Sequence, residues 1–230
     1  MSTKKVTLKD KKAAAKATAT AAAKILALPR LIVEDWWVYI EGDTPLLCHA
    51  WDQKVLQEME NKRRKLASGP REAKEAPDIL TEKAAYRLRN GKPGFPALAF
   101  KSAAVDACSS IQGVTKVAAR QSHWIIGDEH HELHGSLIKV DGREGSHEKA
   151  VRIQNTTDLR YRFILYDWSC RLHLRVMKGV LGEQQIASMY EFAGFACGVG
   201  EWRNEKGGEM GRFHVTSVEI ARKQKVRRAS

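Results

Sequence analysis

The chain is 230 residues long, enough to bury a full core in one large domain, and carries a formal net charge of +12. No uninterrupted apolar run approaches the ~18 residues of a membrane span, the start lacks the charged-then-apolar order of a signal peptide, and the four cysteines, Cys48, Cys108, Cys170 and Cys197, form no C-x-x-C pair. Membrane helices, disulfide scaffolds and zinc knuckles are thereby excluded, and a cytoplasmic protein with buried, reduced thiols is expected.

The charge is unevenly placed. Residues 1–30 carry +7 and 222–230 carry +5, which together account for the whole excess, so the span between them is neutral. One domain over 31–222 is expected between basic tails at 1–30 and 223–230, and any polyanion site in its body must come from local clustering. The Lys/Ala/Thr-rich first 24 residues have little to bury and read as a disordered or transiently helical arm, either polyanion-binding or merely solubilising.

In chain order, Leu31 to Glu41 alternates β-branched and aromatic residues and closes on Gly42-Asp43, which predicts a strand with Trp36 and Trp37 on opposite faces. Trp37 with Tyr39 is a candidate stacking platform on the open face. Residues 54–92 are charged and broken by Gly69-Pro70 and Pro77, a pattern that fits an insertion helical from Lys54 to Ala67. Pro96 then opens a helix with Ala97, Phe100, Ala104, Cys108 and Ile111 on one stripe. Lys101 on this apolar helix must either snorkel or reach an anion.

From about Val114 to Ile153 a run of strands is expected. Within it, Glu129-His130-His131-Glu132-Leu133-His134 has the wrong spacing for H-E-x-x-H and reads as a polar hairpin, so no metal site is predicted, nor any cofactor. Arg152, Arg160 and Arg162 flank the polar stretch 154–157 and either clamp a nucleic-acid backbone or pair with Asp158 and nearby acids. Tyr166 to Val176 alternates cleanly, placing Arg171, His173 and Arg175 on one polar face.

Glu183 to Cys197 predicts an amphipathic helix, and Arg212 to Arg222 a final strand. Between them lies a loop with five of the chain's seventeen glycines, Gly198, Gly200, Gly207, Gly208 and Gly211. Such glycines let backbone N–H groups approach phosphates, Arg203, Lys206 and Arg212 add charge, and Trp202 offers a face to a base. Against this, Glu201, Glu205 and Glu209 cancel the loop's charge, and Trp202 could pack on the body or on a neighbouring subunit. Overall the pattern is α+β, with strand, helix, glycine loop and strand forming half of a ferredoxin-like (RRM-like) core.

The Pro-x-x-x-x-Lys helix opening PALAFKSA at 96–103, followed much later by a helix running into a glycine-rich loop and a last strand, resembles the RAMP superfamily over residues 31–222. The likeness is to backbone subunits of CRISPR effector complexes, and a phage-encoded relative would also suit the short chain and basic ends. It implies a ferredoxin-like core with a thumb-like projection, for which 54–92 is the candidate, and head-to-tail homo-oligomers on single-stranded DNA or RNA. It also implies two weak catalytic candidates: His49, because RNA-processing relatives use an early histidine as general base, and Asp43, because RNA-cleaving relatives carry an aspartate there. The function expected is non-sequence-specific single-strand binding, with an endoribonuclease, a protein module that imitates or blocks a CRISPR subunit, and a duplex-DNA architectural protein as alternatives.

Overall fold

The computed structural model describes residues 31–66, 75–153 and 156–221. Both basic tails, the middle of the charged insertion and Gln154-Asn155 lie outside the described residues. Among the described residues no helix is long and apolar enough to cross a membrane.

The fold is mixed α+β around an antiparallel sheet. Strand β1 (Val33–Gly42) pairs with β7 (Thr156–Met177) on one side and β8 (Phe213–Ala221) on the other, and β7 pairs in turn with β6 (Gly135–Ile153). The path therefore runs β6-β7-β1-β8, with β3 (Gly94–Pro96) outside β6. Short strands β2 (Leu46–Cys48) and β4 (His123–Ile126) pair with β7, and β5 (Glu129–His131) with β6. The β5–β6 pairing makes the Glu129 to His134 stretch the hairpin its sequence suggests.

Alternation decides which face is covered. Trp36, Val38 and Ile40 of β1 and Trp168, Cys170, Leu172, Leu174 and Val176 of β7 are buried, while Trp37, Tyr39, Arg171, His173 and Arg175 point the other way. The covering helices are α3 (Ala97–Ala107), buried through Ala97, Phe100, Ala103, Ala104, Val105 and Ala107, and α5 (Glu183–Phe192), buried through Ile186, Met189 and Tyr190. Between sheet and helices Phe100, Trp168 and Phe213 meet edge-on or tilted at 5.9–6.4 Å, which joins α3, β7 and β8.

Two expectations are corrected here. The stretch after Val114 is not all strand: Lys116–Ser122 forms helix α4, because the Thr115 hydroxyl accepts the Ala118 N–H at 3.1 Å and caps an Ala-containing turn. The insertion helix α1 is Gln53–Arg63, shorter than predicted, and buries no residue. A second helix, α2 (Pro77–Lys83), follows with proline in its first turn.

Strands β6 and β7 continue past the core as a two-stranded arm. The register slips between Asp141 and Arg143, opposite Asp167 at φ 49°, and beyond it the alternation of Trp168 and Cys170 gives way to three successive buried residues, Phe163, Ile164 and Leu165. Arg87 anchors the arm's root. Its guanidinium bonds Glu82 at 2.7 Å and Glu144 at 2.8 Å and lies 4.8 Å from the Phe163 ring centroid, while Thr81 and Ser146 share a 2.7 Å hydroxyl bond.

Candidate functional site

On the arm, cross-strand register pairs His147 with Arg162 and Lys149 with Arg160. Because residues two apart share a face, these four basic-type side chains form one block, with Val151 beyond them. Like charges placed directly opposite destabilise a sheet unless something answers them. The answer comes from the glycine loop. Glu201 receives both Nε and Nη2 of Arg162, the latter at 3.4 Å, and the Lys149 ammonium sits 3.0 Å from the Trp202 ring centroid. Arm and loop together wall a groove of about 400 Å³ lined by Lys149, Arg160, Arg162, Trp202, Arg203 and Lys206, among others.

The loop is ordered, contrary to the open phosphate nest predicted. Gly198 donates its N–H to Ala193 O, Gly207 to Asn204 O, Gly208 to Arg203 O and Gly211 to Pro45 O, at 2.8–3.1 Å. Those donors are consumed inside the protein. Glu201 N–H also reaches Leu47 O at 2.9 Å, which docks the loop on β2. The glycines serve close packing: a Cβ on Gly208 would lie 1.9 Å from Trp202 O, and one on Gly211, at φ +67°, 1.7 Å from Val199 O. They hold Trp202 in place, itself at φ 56°.

Charges in the groove are partly spoken for. Arg203 bonds Glu205 at 2.7 Å and Lys206 reaches the same carboxylate at 3.3 Å. Burial pushes the Glu205 pKa up, but the two cations together outweigh it and hold the carboxyl below its usual value. Arg160 is exposed and makes no ion pair among the described residues. His49 is half-buried with Nδ1 3.4 Å from Glu201 Oε2; burial first, then the Arg162 charge, lowers its pKa against the opposite pull of Glu201.

Several predicted residues lie elsewhere. Arg152 has the opposite parity from Lys149 and Val151 and faces the far side of the arm, opposite Thr157. Arg171 and Arg175 sit about nine or more residues along β7 from Arg162, on the order of 30 Å at the ~3.3 Å rise of a strand. Arg171 lies 4.5 Å over Trp37, which also stacks on His173 at 4.0 Å, and Arg175 pairs with Asp35 at 3.1 Å. Lys101 is a fold contact: its ammonium donates to His123 O at 2.6 Å, and burial lowers its pKa. Arg212 packs 5.1 Å from the Phe195 ring centroid, with its N–H on Thr44 Oγ1. Asp43 bonds His214 at 2.7 Å, so the two weak catalytic candidates face different partners.

His147 and Lys149 are site residues that sequence reasoning missed. Their signal is the two-residue spacing 147-149-151, which acquires meaning only once the register with 158-160-162 is known.

The fold and site thus define an α+β protein with an antiparallel sheet and a basic, indole-bearing groove. No protein-family model matches the chain, and no curated protein matches it. Among solved structures it is similar to a chain in the cryo-EM structure of the Type III-B Cmr-beta bound to cognate target RNA, with 9% identity and a TM-score of 0.47 over 82% of this chain. This chain spans 60% of that neighbour's length. The RNA belongs to that complex.

Proposed function

We propose that the protein binds single-stranded nucleic acid, DNA or RNA, through the groove between the β6–β7 arm and the glycine loop. The observation that carries this is the cross-strand block of Lys149, Arg160 and Arg162, with His147 beside them, facing Trp202. Glu201 answers Arg162 and Trp202 answers Lys149, but Arg160, directly opposite Lys149, has no such partner among the described residues, and a phosphodiester backbone would turn that repulsion into attraction. The indole beside them suits base stacking with little sequence preference. The ferredoxin-like, RAMP-type reading of the core belongs to the same proposal and is supported by the all-antiparallel β6-β7-β1-β8 order, with α3 and α5 on one face. Head-to-tail assembly along the strand is part of it too; Leu98 and Phe195, both largely exposed on the helical side, supply apolar surface for such a contact.

The test is fluorescence anisotropy of labelled oligonucleotides across a salt series, comparing Arg160→Ala with Arg152→Ala. Arg160→Ala should weaken binding uniformly across sequences and reduce the salt slope by about 1, whereas Arg152→Ala should do neither. Equal effects of the two substitutions would remove the groove from the proposal.

One observation favours a second reading, RNA cleavage: His49 Nδ1 and Arg162 Nε both reach Glu201 Oε2, which sets an imidazole beside a guanidinium, an arrangement suited to deprotonating a ribose hydroxyl beside a bound phosphate. Strand cleavage abolished by His49→Ala with binding retained would establish it. An intact RNA strand after prolonged incubation, with and without divalent metal, would dismiss it.

A further inference from the structure

We propose that helix α1 docks on the C-terminal end of α5 in a second copy of this chain. The inference rests on the head-to-tail part of the reading above and gives that assembly a defined contact. Met59 lies four residues from Val55 and three from Leu56, which puts all three on one face of α1. With Leu66 just beyond the helix, they are 37–51% exposed, and α1 buries no residue in its own chain. Residues 53–66 hold five cations against two acids. Arg63 is taken by Glu60, whereas Lys62, Arg64 and Lys65 make no ion pair among the described residues.

The matching surface stands where α5 ends. There the chain passes through one π turn, Ala193–Cys197, and Gly194 lies so close to β8 that a Cβ would stand 1.9 Å from Phe213 O. With that side packed on the sheet, Phe192 and Phe195, three apart, are left 42% and 66% exposed. Glu183 to Cys197 contains two carboxylates and no lysine or arginine. Glu191, next to Phe192, accepts the Val215 N–H at 2.8 Å and makes no ion pair among the described residues. Arg212 packs against the Phe195 ring at 5.1 Å, so a partner approaches from its uncovered side. Helices α1 and α5 do not pack on each other, and one chain therefore cannot satisfy both surfaces by itself. A cationic apolar helix and an acidic apolar turn at separate places match between copies, and because the two patches differ the contact is heterologous and can propagate. A polyanion would answer the cations of α1 but leave its apolar stripe in water, which favours a second copy as the occupant.

The experiment is sedimentation velocity of the full chain without nucleic acid, on the unmodified protein, Met59→Glu, Phe195→Glu and an equimolar mixture of the two variants. The unmodified protein should form species larger than a monomer that grow with concentration up to about 100 µM and shrink in high salt. Each variant alone should associate at least about tenfold more weakly. The mixture should form a dimer and stop there, because the intact α1 of one variant meets the intact α5 end of the other, and the two surfaces left over are both altered. A monomeric unmodified protein, or a mixture that associates no better than its components, overturns the contact. Anisotropy with an oligonucleotide short enough for one groove keeps this apart from nucleic-acid binding: both variants should bind it as the unmodified protein does. Sedimentation as expected with no oligonucleotide bound by any form would sink groove binding and leave the contact standing. Weaker oligonucleotide binding by Met59→Glu with unaltered sedimentation would assign α1 to nucleic acid and overturn the contact. Unchanged thermal unfolding of the two variants confirms that folded proteins are compared.

Discussion

Arg162 and Glu201 form a two-point ion pair in which an arm residue is neutralised by the glycine loop, through Nε and Nη2 to the two carboxylate oxygens, with the arginine side chain only 13% exposed. The carboxylate occupies the position a phosphate would take on the same fork. Glu201→Gln keeps the side chain's shape and removes its charge. Affinity for single strands should rise several-fold, and stability should fall by about 1–2 kcal/mol, because a largely buried guanidinium loses its counter-charge. Anisotropy and denaturant unfolding read the two effects, and weaker binding would mean that Glu201 positions Arg162 for its ligand.

Lys149 over Trp202 ties arm to loop by a cation–π contact at 3.0 Å. Lys149→Ala should shift the tryptophan emission and reduce the salt slope of binding by about 1. A single-strand affinity as steep in salt as the unmodified protein's would place Lys149 outside the phosphate path.

Gly211→Ala introduces a methyl group against Val199 O at a left-handed φ. The loop must shift, so a loss of at least about 2 kcal/mol, or about 5 °C in Tm, is expected, together with weaker binding as Trp202 moves. Gly91, also at positive φ but with open space where a Cβ would stand, is the control: its alanine variant should cost roughly 1 kcal/mol and leave binding unchanged.

His123 is buried between Ser122 and Tyr190, with Nδ1 2.8 Å from the serine Oγ and Nε2 2.7 Å from the phenol oxygen. Burial, then the Lys101 charge, lowers its pKa from 6.5 to about 4. The unfolded imidazole takes up a proton near 6.5 and the folded one not until about 4, so stability is full above pH 6.5, declines as the pH falls, and levels off below about 4. The total loss is about 3 kcal/mol, and His123→Gln should flatten that part of the pH profile in urea unfolding.

The core is legible in the sequence where periodicity carries the information. The alternation from Trp168 to Val176 and the Ala97, Phe100, Ala104 stripe both appear as written. Residues 116–122 escape such reading because a short helix offers barely two turns of pattern, and its Thr115 cap is the stronger signal. In the site, charge and aromatic content point to Arg160, Arg162, Trp202, Arg203 and Lys206, which the fold does bring together. Parity separates Arg152 from them, and distance along β7 removes Arg171 and Arg175; neither can be known before the register is. The glycine loop proves tighter than its composition suggests, because glycine content alone does not distinguish freedom from close packing, whereas the internal destinations of the N–H groups do.

The Arg87 bracket at the root of the arm carries a consequence for recognition. Glu82, Glu144 and Phe163 all grip one guanidinium, which braces the outer strands against the body before any ligand of the kind proposed arrives. If the proposed binding holds, little ordering entropy is left for the encounter to lose, and modest contacts would suffice.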